Sequence, residues 1–182
     1  MLYTRKGDKG TTKTFGCDQR ISKSSIIAEA LGTLDEANSF LGLVKVLADH
    51  KKIKVGKVTF GQIVHECQNN LFIIQAEIAG AKKTISKDKV KEIENIVDTI
   101  EKSLPPIKSF FISGGTGLTA SFDFARTLAR RAERRVVAVH DEKFVKVGSH
   151  SLAYLNRLSS LLYALARLSN HKSGITEDKP HY

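Results

Sequence analysis

The sequence predicts an all-α protein, a five-helix up-and-down bundle preceded by a glycine-rich N-terminal loop. Apolar residues recur at three- and four-residue steps in five long segments, strand-like alternation never lasts more than a few residues, and the connections are short. The 182 residues are about the length of one domain. We expect the N-terminal loop over 1–23, the helical bundle over 24–169 and a loose C-terminal tail over 170–182.

The first and third helices have clear boundary signals. The first is expected over about 27–49, with Ser24 or Ser25 as its N-cap, because a serine oxygen accepts a hydrogen bond from an exposed backbone N–H. Ser86 is expected to cap the third helix. Pro105–Pro106 prevents this helix from continuing, since proline lacks an N–H and clashes with the preceding turn.

The remaining helices follow from the same apolar period. We expect the second over about 63–80, the fourth over about 119–139 and the fifth over about 149–169. Between the third and fourth helices the chain reads FFISGGTG, which passes from bulky apolar residues to glycine. Glycine adopts positive φ angles at no steric cost, so this segment predicts a loop that allows another group to approach its backbone closely.

The charge balance predicts an anionic partner. Lysine and arginine total 29 against 19 acidic residues, a net charge of +10, which favours nucleic acid, nucleotide or phosphate without choosing among them. No apolar run is long enough to cross a bilayer and the N-terminus lacks an apolar signal region, so we expect a cytoplasmic protein. Two cysteines and six scattered histidines predict no zinc site.

The N-terminal segment TRKGDKGTTKTFG has the ingredients of a phosphate-binding loop. Glycines let successive backbone N–H groups converge, hydroxyls add donors and lysines add charge. The spacing is not that of a Walker A loop, because GxxxxGK[ST] does not occur. The alternative interpretation is a mobile basic arm with no ligand.

The predicted fourth helix carries a stripe of arginines. At about 100° per residue, Arg126, Arg130 and Arg134 fall within about 80° of one another and border the apolar face. Guanidinium groups at such a border bind phosphates and carboxylates strongly. Arg131 and Arg135 point elsewhere, towards solvent. A solvated face with Glu–Arg pairs is the alternative interpretation of the run.

Two other helices place polar groups beside their apolar faces. Asp35 and Asn38 adjoin the buried face of the first helix, and Asn156 and Arg157 do so in the fifth. Buried carboxylates and amides require partners. The pattern predicts a shared cleft or an oligomer interface, although Asp35 could equally be a surface acid.

Three blocks of the sequence, in order, resemble the PduO-type ATP:cob(I)alamin adenosyltransferases, which are homotrimers of five-helix bundles. The blocks are TRKGDKGTTKTFG with QRISK, EALGTLDEANSFLG, and FFISGG leading into ARTLARRAERRVV and YLNRLS, together spanning residue 3 to about residue 167. The chain departs from the family pattern at four positions that bear on the corrinoid pocket: Ile27, Leu31, Ser113 and Ser160.

The resemblance implies that ATP binds at the junction between subunits of a homotrimer. The ATP-binding residues it implies are Thr4, Arg5, Lys6, Gly7, Thr12, Lys13, Lys23, Arg130, Arg131, Glu133, Arg134 and Asn156. Mg²⁺ is implied as a cofactor that is bound mainly through the ATP phosphates, with no site made of protein ligands alone.

The resemblance also implies three catalytic residues. Asp35 and Arg126 match a pair that bridges the cleft between subunits. Phe110 matches an aromatic residue on the lower face of the corrin ring, where it displaces the dimethylbenzimidazole base so that cobalt becomes four-coordinate and easier to reduce to Co(I).

The implied reaction transfers the 5′-deoxyadenosyl group of ATP to cob(I)alamin, giving adenosylcobalamin and triphosphate. The implied partners are a flavoprotein reductase and an adenosylcobalamin-dependent acceptor enzyme, with neither nucleic acid nor membrane. Two alternatives stay open: a basic helical nucleic-acid-binding protein, which the charge alone favours, and a non-catalytic bundle of the same fold.

Overall fold

The computed structural model describes residues 2–14 and 19–181 as five helices and two short ribbons. The helices are α1 (Ile26–Lys51), α2 (Phe60–Ile78), α3 (Lys87–Glu101), α4 (Gly117–Asp141) and α5 (Ser149–Lys172). The strands are β1 (Thr11–Lys13), β2 (Arg20–Ser22), β3 (Lys54–Val55) and β4 (Val58–Thr59). The all-α prediction is confirmed. The antiparallel pairs β1–β2 and β3–β4 were not predicted, because strands of two or three residues are too short for alternation to be detected.

Successive helices run in opposite directions. Glu29 near the start of α1 pairs with Arg135 near the end of α4, while Phe40 of α1 packs edge-on against Phe124 near the start of α4. Helix α5 lies antiparallel to α4 and contacts α3 on another side, and α2 packs along α1. No helix in the described ranges is long and apolar enough to cross a membrane.

Side-chain caps begin four of the helices. The oxygens of Ser25, Thr59, Ser86 and Thr116 each accept a hydrogen bond from a backbone N–H in the first turn of the helix that follows. Of the two candidates for the first helix, Ser24 and Ser25, the cap is Ser25, and the cap predicted at Ser86 is confirmed. Helix α3 ends at Glu101, several residues before the prolines, through C-terminal hydrogen bonds of its own.

Packing in the core sets the rotation of α4 about its own axis. Its predicted apolar face is fully buried, and Phe122 packs edge-on against Phe60 of α2 with ring centroids 5.7 Å apart. The buried residues of that face are Phe122, Ala125, Ala129, Ala132 and Val136. Alanines allow the neighbouring helices to approach closely, and burial of this face determines which side chains of α4 can reach the surface.

The C-terminal segment differs from the expected loose tail. Helix α5 continues to Lys172, and the segment then turns back onto the bundle. Glu177 accepts a hydrogen bond from Arg167 at 3.0 Å, and the Asp178 carbonyl accepts one from the Ile112 amide at 2.8 Å. A buried arginine such as Arg167 needs a carboxylate partner. The sequence could not predict this contact, because the C-terminal segment has no apolar periodicity.

The N-cap residue of α5 is Gly148, which has no side chain to cap the helix, and α2 supplies the cap instead. The carboxylate of Glu77 is 7% exposed and accepts hydrogen bonds from the Gly148 amide at 2.8 Å and from the Ser151 hydroxyl. A negative charge at a helix N-terminus is stabilised by the free N–H groups there. Glu77 therefore joins α2 to the start of α5.

We expect Glu77→Ala to lower the free energy of unfolding by about 2 to 3 kcal/mol, because the buried Ser151 hydroxyl and the partly buried Gly148 amide lose their acceptor. The matched control is Glu66→Ala on the exposed face of the same helix, where Lys89 holds the pKa of Glu66 below its ordinary value. That exposed pair is worth at most about 1 kcal/mol. Denaturant unfolding measures both, and equal losses would contradict the capping role of Glu77.

Candidate active site

A cavity of about 550 Å³ lies between the loop that precedes α4 and the helices α4 and α5. Its wall includes residues 107–114 of the loop, Arg126 and Arg130 of α4, Tyr163 of α5 and Glu177 of the C-terminal segment. The volume is within the usual range for small-molecule sites. We call it the α4–α5 cavity.

Two adjacent phenylalanines of the loop have different surroundings. Phe110 lines the α4–α5 cavity and is 80% exposed. Phe111 is half-buried, with its ring 5.3 Å from the guanidinium of Arg167. The structure therefore excludes the possibility that Phe110 fills the core. An exposed phenylalanine at the rim of a cavity is typical of a surface that binds an apolar group.

Arg126 lies at the border of the buried face, as predicted from the helical wheel. Its guanidinium is 5.9 Å from the ring of Tyr163, and its Nε is buried with no hydrogen-bond partner in the described part of the chain. Burial raises the pKa of Tyr163, so its hydroxyl stays protonated at neutral pH. An unpartnered buried donor is costly, so Arg126 is expected to meet an acceptor from outside the described chain.

The sequence analysis missed Asp123, which lies one turn before Arg126. Its Oδ2 accepts a hydrogen bond from the Gly114 amide at 3.0 Å. Burial raises the pKa of Asp123, and the Gly114 amide and the Arg126 charge partly oppose that shift. The i, i+3 spacing of Asp123 and Arg126 on the fourth helix could have indicated this pair.

The arginines of α4 separate onto two sides, as the wheel predicts. Arg130 lines the α4–α5 cavity, and Arg134 is exposed, donating to the Arg130 carbonyl at 3.1 Å. Arg131 instead forms an ion pair with Glu36 of α1, and Arg135 pairs with Glu29. Arg131 and Arg135 thus lie on the α1 side of the helix, paired rather than simply solvated.

Glu133 and Asn156 face each other across α4 and α5. Asn156 Nδ2 donates to Glu133 Oε1 at 2.9 Å, and Arg157 donates to the Asn156 oxygen at 2.7 Å. Arg157 also pairs with Glu94 of α3 at 3.0 Å. These exposed polar groups form a connected chain beside the arginine stripe.

The N-terminal loop is organised by Arg20, a residue to which the sequence analysis gave no role. Its side chain donates to Thr11 Oγ1 at 2.8 Å and also to the backbone carbonyls of Lys6 and Thr11. The loop closes where the Lys23 amide donates to the Gly10 carbonyl at 2.9 Å.

Most of the candidate ATP-binding residues of this loop are accessible. Those with exposed side chains are Thr4, Arg5, Lys6, Lys13 and Lys23, and Thr12 is half-buried. A Cβ atom at Gly7 would lie 3.2 Å from Lys23 Nζ, so this glycine makes room for the lysine. Gly16 and Cys17 lie outside the described residues.

Asp35 lies on a different face from Arg126. It is exposed in a groove between α1 and α2, beside Leu31 and Phe72, whereas Arg126 faces α5. Nearby Asn38 is buried, and its Oδ1 has no partner in the described chain. A single chain therefore does not bring Asp35 and Arg126 together within its described ranges.

The state of the Cys67 thiol and the distribution of metal-ligating side chains limit the chemistry that the described residues support. Burial raises the pKa of the Cys67 thiol to about 12, so it remains protonated and unreactive at neutral pH. Within residues 2–14 and 19–181 there is no cluster of three or more metal-ligating side chains. Ser113 and Ser160, two of the departures from the family pattern, line the α4–α5 cavity.

Comparison with known proteins identifies the class to which this fold and site belong. The family model for cobalamin adenosyltransferase matches residues 2–169, and the chain belongs to this family. The resemblance found in the sequence is confirmed.

Curated relatives support the same class. The chain is 38% identical over 177 residues to the corrinoid adenosyltransferase PduO of Citrobacter freundii, covering 93% of this chain and 50% of that protein. It is 35% identical over 180 residues to the corrinoid adenosyltransferase of Bacillus subtilis, covering 96% and 89%. The chain thus spans about half the length of the PduO relatives from Citrobacter freundii and Salmonella typhimurium.

Solved structures share the whole fold. A phenylalanine-to-alanine variant of the PduO-type ATP:corrinoid adenosyltransferase from Lactobacillus reuteri, complexed with cobalamin and ATP, matches with a TM-score of 0.88 and 28% identity. The match covers all of both chains. An arginine-to-lysine variant from the same organism, complexed with ATP, matches with a TM-score of 0.87.

We expect Phe110→Ala to change the free energy of unfolding by less than about 0.5 kcal/mol, because an exposed ring contributes little to folding. Phe111→Ala is the matched control and should cost about 2 kcal/mol or more, since it loses both burial and the contact with Arg167. Thermal or denaturant unfolding measures both. A large loss in Phe110→Ala would show that this ring packs within the fold.

Proposed function

We propose that this protein transfers the 5′-deoxyadenosyl group of ATP to the cobalt of cob(I)alamin. The observation that carries the proposal is the α4–α5 cavity, which is lined by the exposed Phe110, by Arg130 and by Arg126, whose buried Nε has no hydrogen-bond partner among the described residues. An apolar ring suits a corrin surface, and guanidinium groups suit phosphate. Family membership and relatives that bind cobalamin and ATP support the same reaction.

The reaction is a nucleophilic displacement. The electron pair of Co(I) attacks C5′ of ATP, the cobalt–carbon bond forms, and the C5′–O bond breaks so that its electrons leave with triphosphate. No proton needs to be removed from the nucleophile, so no general base is required. The protein's work is to orient the reactants and to stabilise the charge on the departing triphosphate.

Cationic groups would hold the nucleotide. Arg130 and Arg134 lie along one stripe of α4 and present donors to phosphate oxygens. We propose that the N-terminal loop contributes Thr4, Arg5, Lys6, Gly7, Thr12, Lys13 and Lys23. Glu133 and Asn156 would contact the nucleotide and its Mg²⁺. With no acidic cluster in the described ranges, the ion would be held mainly by phosphate oxygens, a mode that Mg²⁺ commonly adopts.

Arg131 is the weakest member of the proposed ATP site. Its guanidinium is engaged by Glu36 of α1, on the side of α4 opposite the stripe. A role at the nucleotide would require this exposed pair to open, at a cost of at most about 1 kcal/mol.

Phe110 would act on the corrinoid. Its ring is 80% exposed, and beneath the corrin it would keep water and the dimethylbenzimidazole nitrogen away from cobalt. Losing the lower axial ligand removes electron donation to the metal, so the Co(II)/Co(I) potential rises towards that of cellular reductants.

The complete site is proposed to form between subunits of a homotrimer. Asp35 and Arg126 face different directions within one chain, and Arg126 Nε lacks a partner in the described residues. A carboxylate from a neighbouring copy would satisfy that donor. Each trimer would then contain three equivalent junctions.

The proposed function also implies partners outside the chain. A flavoprotein reductase would supply the electron that forms Co(I), and an adenosylcobalamin-dependent enzyme would accept the product. We propose that the protein acts in the cytoplasm.

Anaerobic incubation with chemically reduced cobalamin and Mg-ATP tests the reaction. The corrinoid absorption spectrum should change from cob(I)alamin to adenosylcobalamin, with one triphosphate released per cobalt alkylated. ATP binding without alkylation would instead support the non-catalytic bundle.

Arg130→Ala distinguishes the enzyme from a nucleic-acid-binding protein. We expect it to weaken ATP binding about tenfold or more, since a charged hydrogen bond is worth about 1.5 to 3 kcal/mol. Arg135→Ala is the matched control, because that residue points to α1 and should leave ATP binding unchanged. Calorimetry measures both. Tight, strongly salt-dependent binding of duplex DNA without ATP binding would favour the alternative.

A double-mutant cycle tests the subunit bridge. Asp35→Asn should weaken trimer assembly or activity by about 3 to 5 kcal/mol, as loss of one partner of a buried pair does. Combined with Arg126→Ala, the losses should be less than additive. Glu36→Gln is the control, since Glu36 pairs within its own chain. Sedimentation and rate measurements that show additive losses would exclude the bridge.

A further inference from the structure

The backbone N–H and the backbone carbonyl of Gly114 are each bound by a side chain, from two different helices. Its N–H donates to Asp123 Oδ2 of α4 at 3.0 Å, and its carbonyl accepts from Asn170 Nδ2 of α5 at 3.0 Å. Phe110 lies only a few residues earlier in the same loop. The loop is thus attached to the bundle just beyond the exposed ring.

Asn170 is buried, with 4% of its surface exposed, although it lies near the end of its helix. Its Oδ1 accepts from the Thr119 hydroxyl at 2.8 Å while its Nδ2 donates to Gly114. Because a carbonyl oxygen can only accept, the Gly114 contact requires the NH₂ group on that side. Both ends of the amide are therefore used, and its orientation is determined by the contacts.

Gly115 allows the loop backbone to approach the Asn170 side chain closely. Its φ angle is +118°, a region that favours glycine, and a Cβ there would lie 2.2 Å from Asn170 Oδ1. A side chain at this position would clash with the amide. The glycine turn and Asn170 are therefore matched to each other.

The exposed ring depends on this attachment. Phe110 has little packing of its own, so its position follows from the backbone that carries it. Upstream the loop is held where Arg167 donates to the Pro105 carbonyl and contacts Phe111. Downstream, the contacts to Gly114 set the direction in which the chain leaves the cavity.

We propose that Asn170, with Thr119 and Asp123, is a positioning residue for Phe110: it holds the Gly114 backbone so that the ring stands over the corrinoid side of the α4–α5 cavity. This inference rests on the proposed function for its effect on rate. Its effect on the loop does not depend on that function.

The test compares two buried asparagines. Asn170→Ala removes both contacts, whereas Asn70→Ala removes a buried hydrogen bond to the Tyr154 hydroxyl, far from the loop. Hydrogen exchange should accelerate over residues 109–115 in Asn170→Ala only. The rate constant kcat should fall about tenfold to a hundredfold, as expected for a misplaced catalytic group, while KM for ATP changes less than about twofold. The four-coordinate Co(II) signal in electron paramagnetic resonance should weaken in parallel.

Two milder variants keep the test decisive where Asn170→Ala does not fold. Thr119→Val removes the donor to Asn170 without changing the volume, and should give a smaller effect of the same kind. Asp123→Asn keeps an oxygen that can accept from the Gly114 amide, so it should lose less of kcat than Asp123→Ala, which removes that acceptor. Rescue by the conservative variant is not expected of a residue that acts only through its charge.

The outcomes separate the two proposals. If the wild type neither binds ATP nor alkylates cobalamin, the proposed function is wrong, and hydrogen exchange still decides whether Asn170 holds the loop. If the wild type is active but Asn170→Ala and Asn70→Ala lose activity equally, or exchange in the loop is unchanged, the positioning role is overturned.

Discussion

Burial of one face of α4 is the constraint on which the rest of the site depends. The face that carries Phe122 packs into the core against α1, α2 and α5, and this fixes the rotation of the helix about its axis. The stripe of Arg126 and Arg130 must then emerge beside α5, and Arg131 beside α1. Apolar packing, which is not directional, thus sets the direction of the charges that would meet a triphosphate.

The sequence predicts those features that depend on local periodicity. The five helices, the caps at Ser25 and Ser86 and the two sides of α4 all follow from side-chain spacing within a single segment. The docked C-terminal segment and the attachment of Gly114 could not be predicted in this way. Two of the contacts involved, Asn170 to Gly114 and Ile112 to Asp178, join residues more than fifty positions apart, and no pattern within either segment indicates them.

The resemblance to a family suggests functional roles for residues that the spacing of side chains along the sequence cannot assign. Residue spacing alone cannot assign Phe110 to a corrinoid, because a phenylalanine at this place in the sequence could equally pack in the core. The structure shows that its ring is exposed and lines a cavity. Conversely, the structure adds residues that the resemblance does not name. Arg20 organises the N-terminal loop, and Arg167 holds the loop before α4 and the C-terminal segment together.

The absence of a partner for Arg126 Nε among the described residues connects assembly with catalysis. The described residues of one chain leave this buried donor without an acceptor, so an acceptor from a second subunit or from a bound nucleotide would lower the free energy of the complex. The same guanidinium lies beside Asp123, whose carboxylate holds the Gly114 amide. A change in the partner of Arg126 therefore alters the electrostatic surroundings of the group that anchors the Phe110 loop. In the proposed arrangement, nucleotide binding, subunit contact and the position of the aromatic ring would all depend on one short segment of α4.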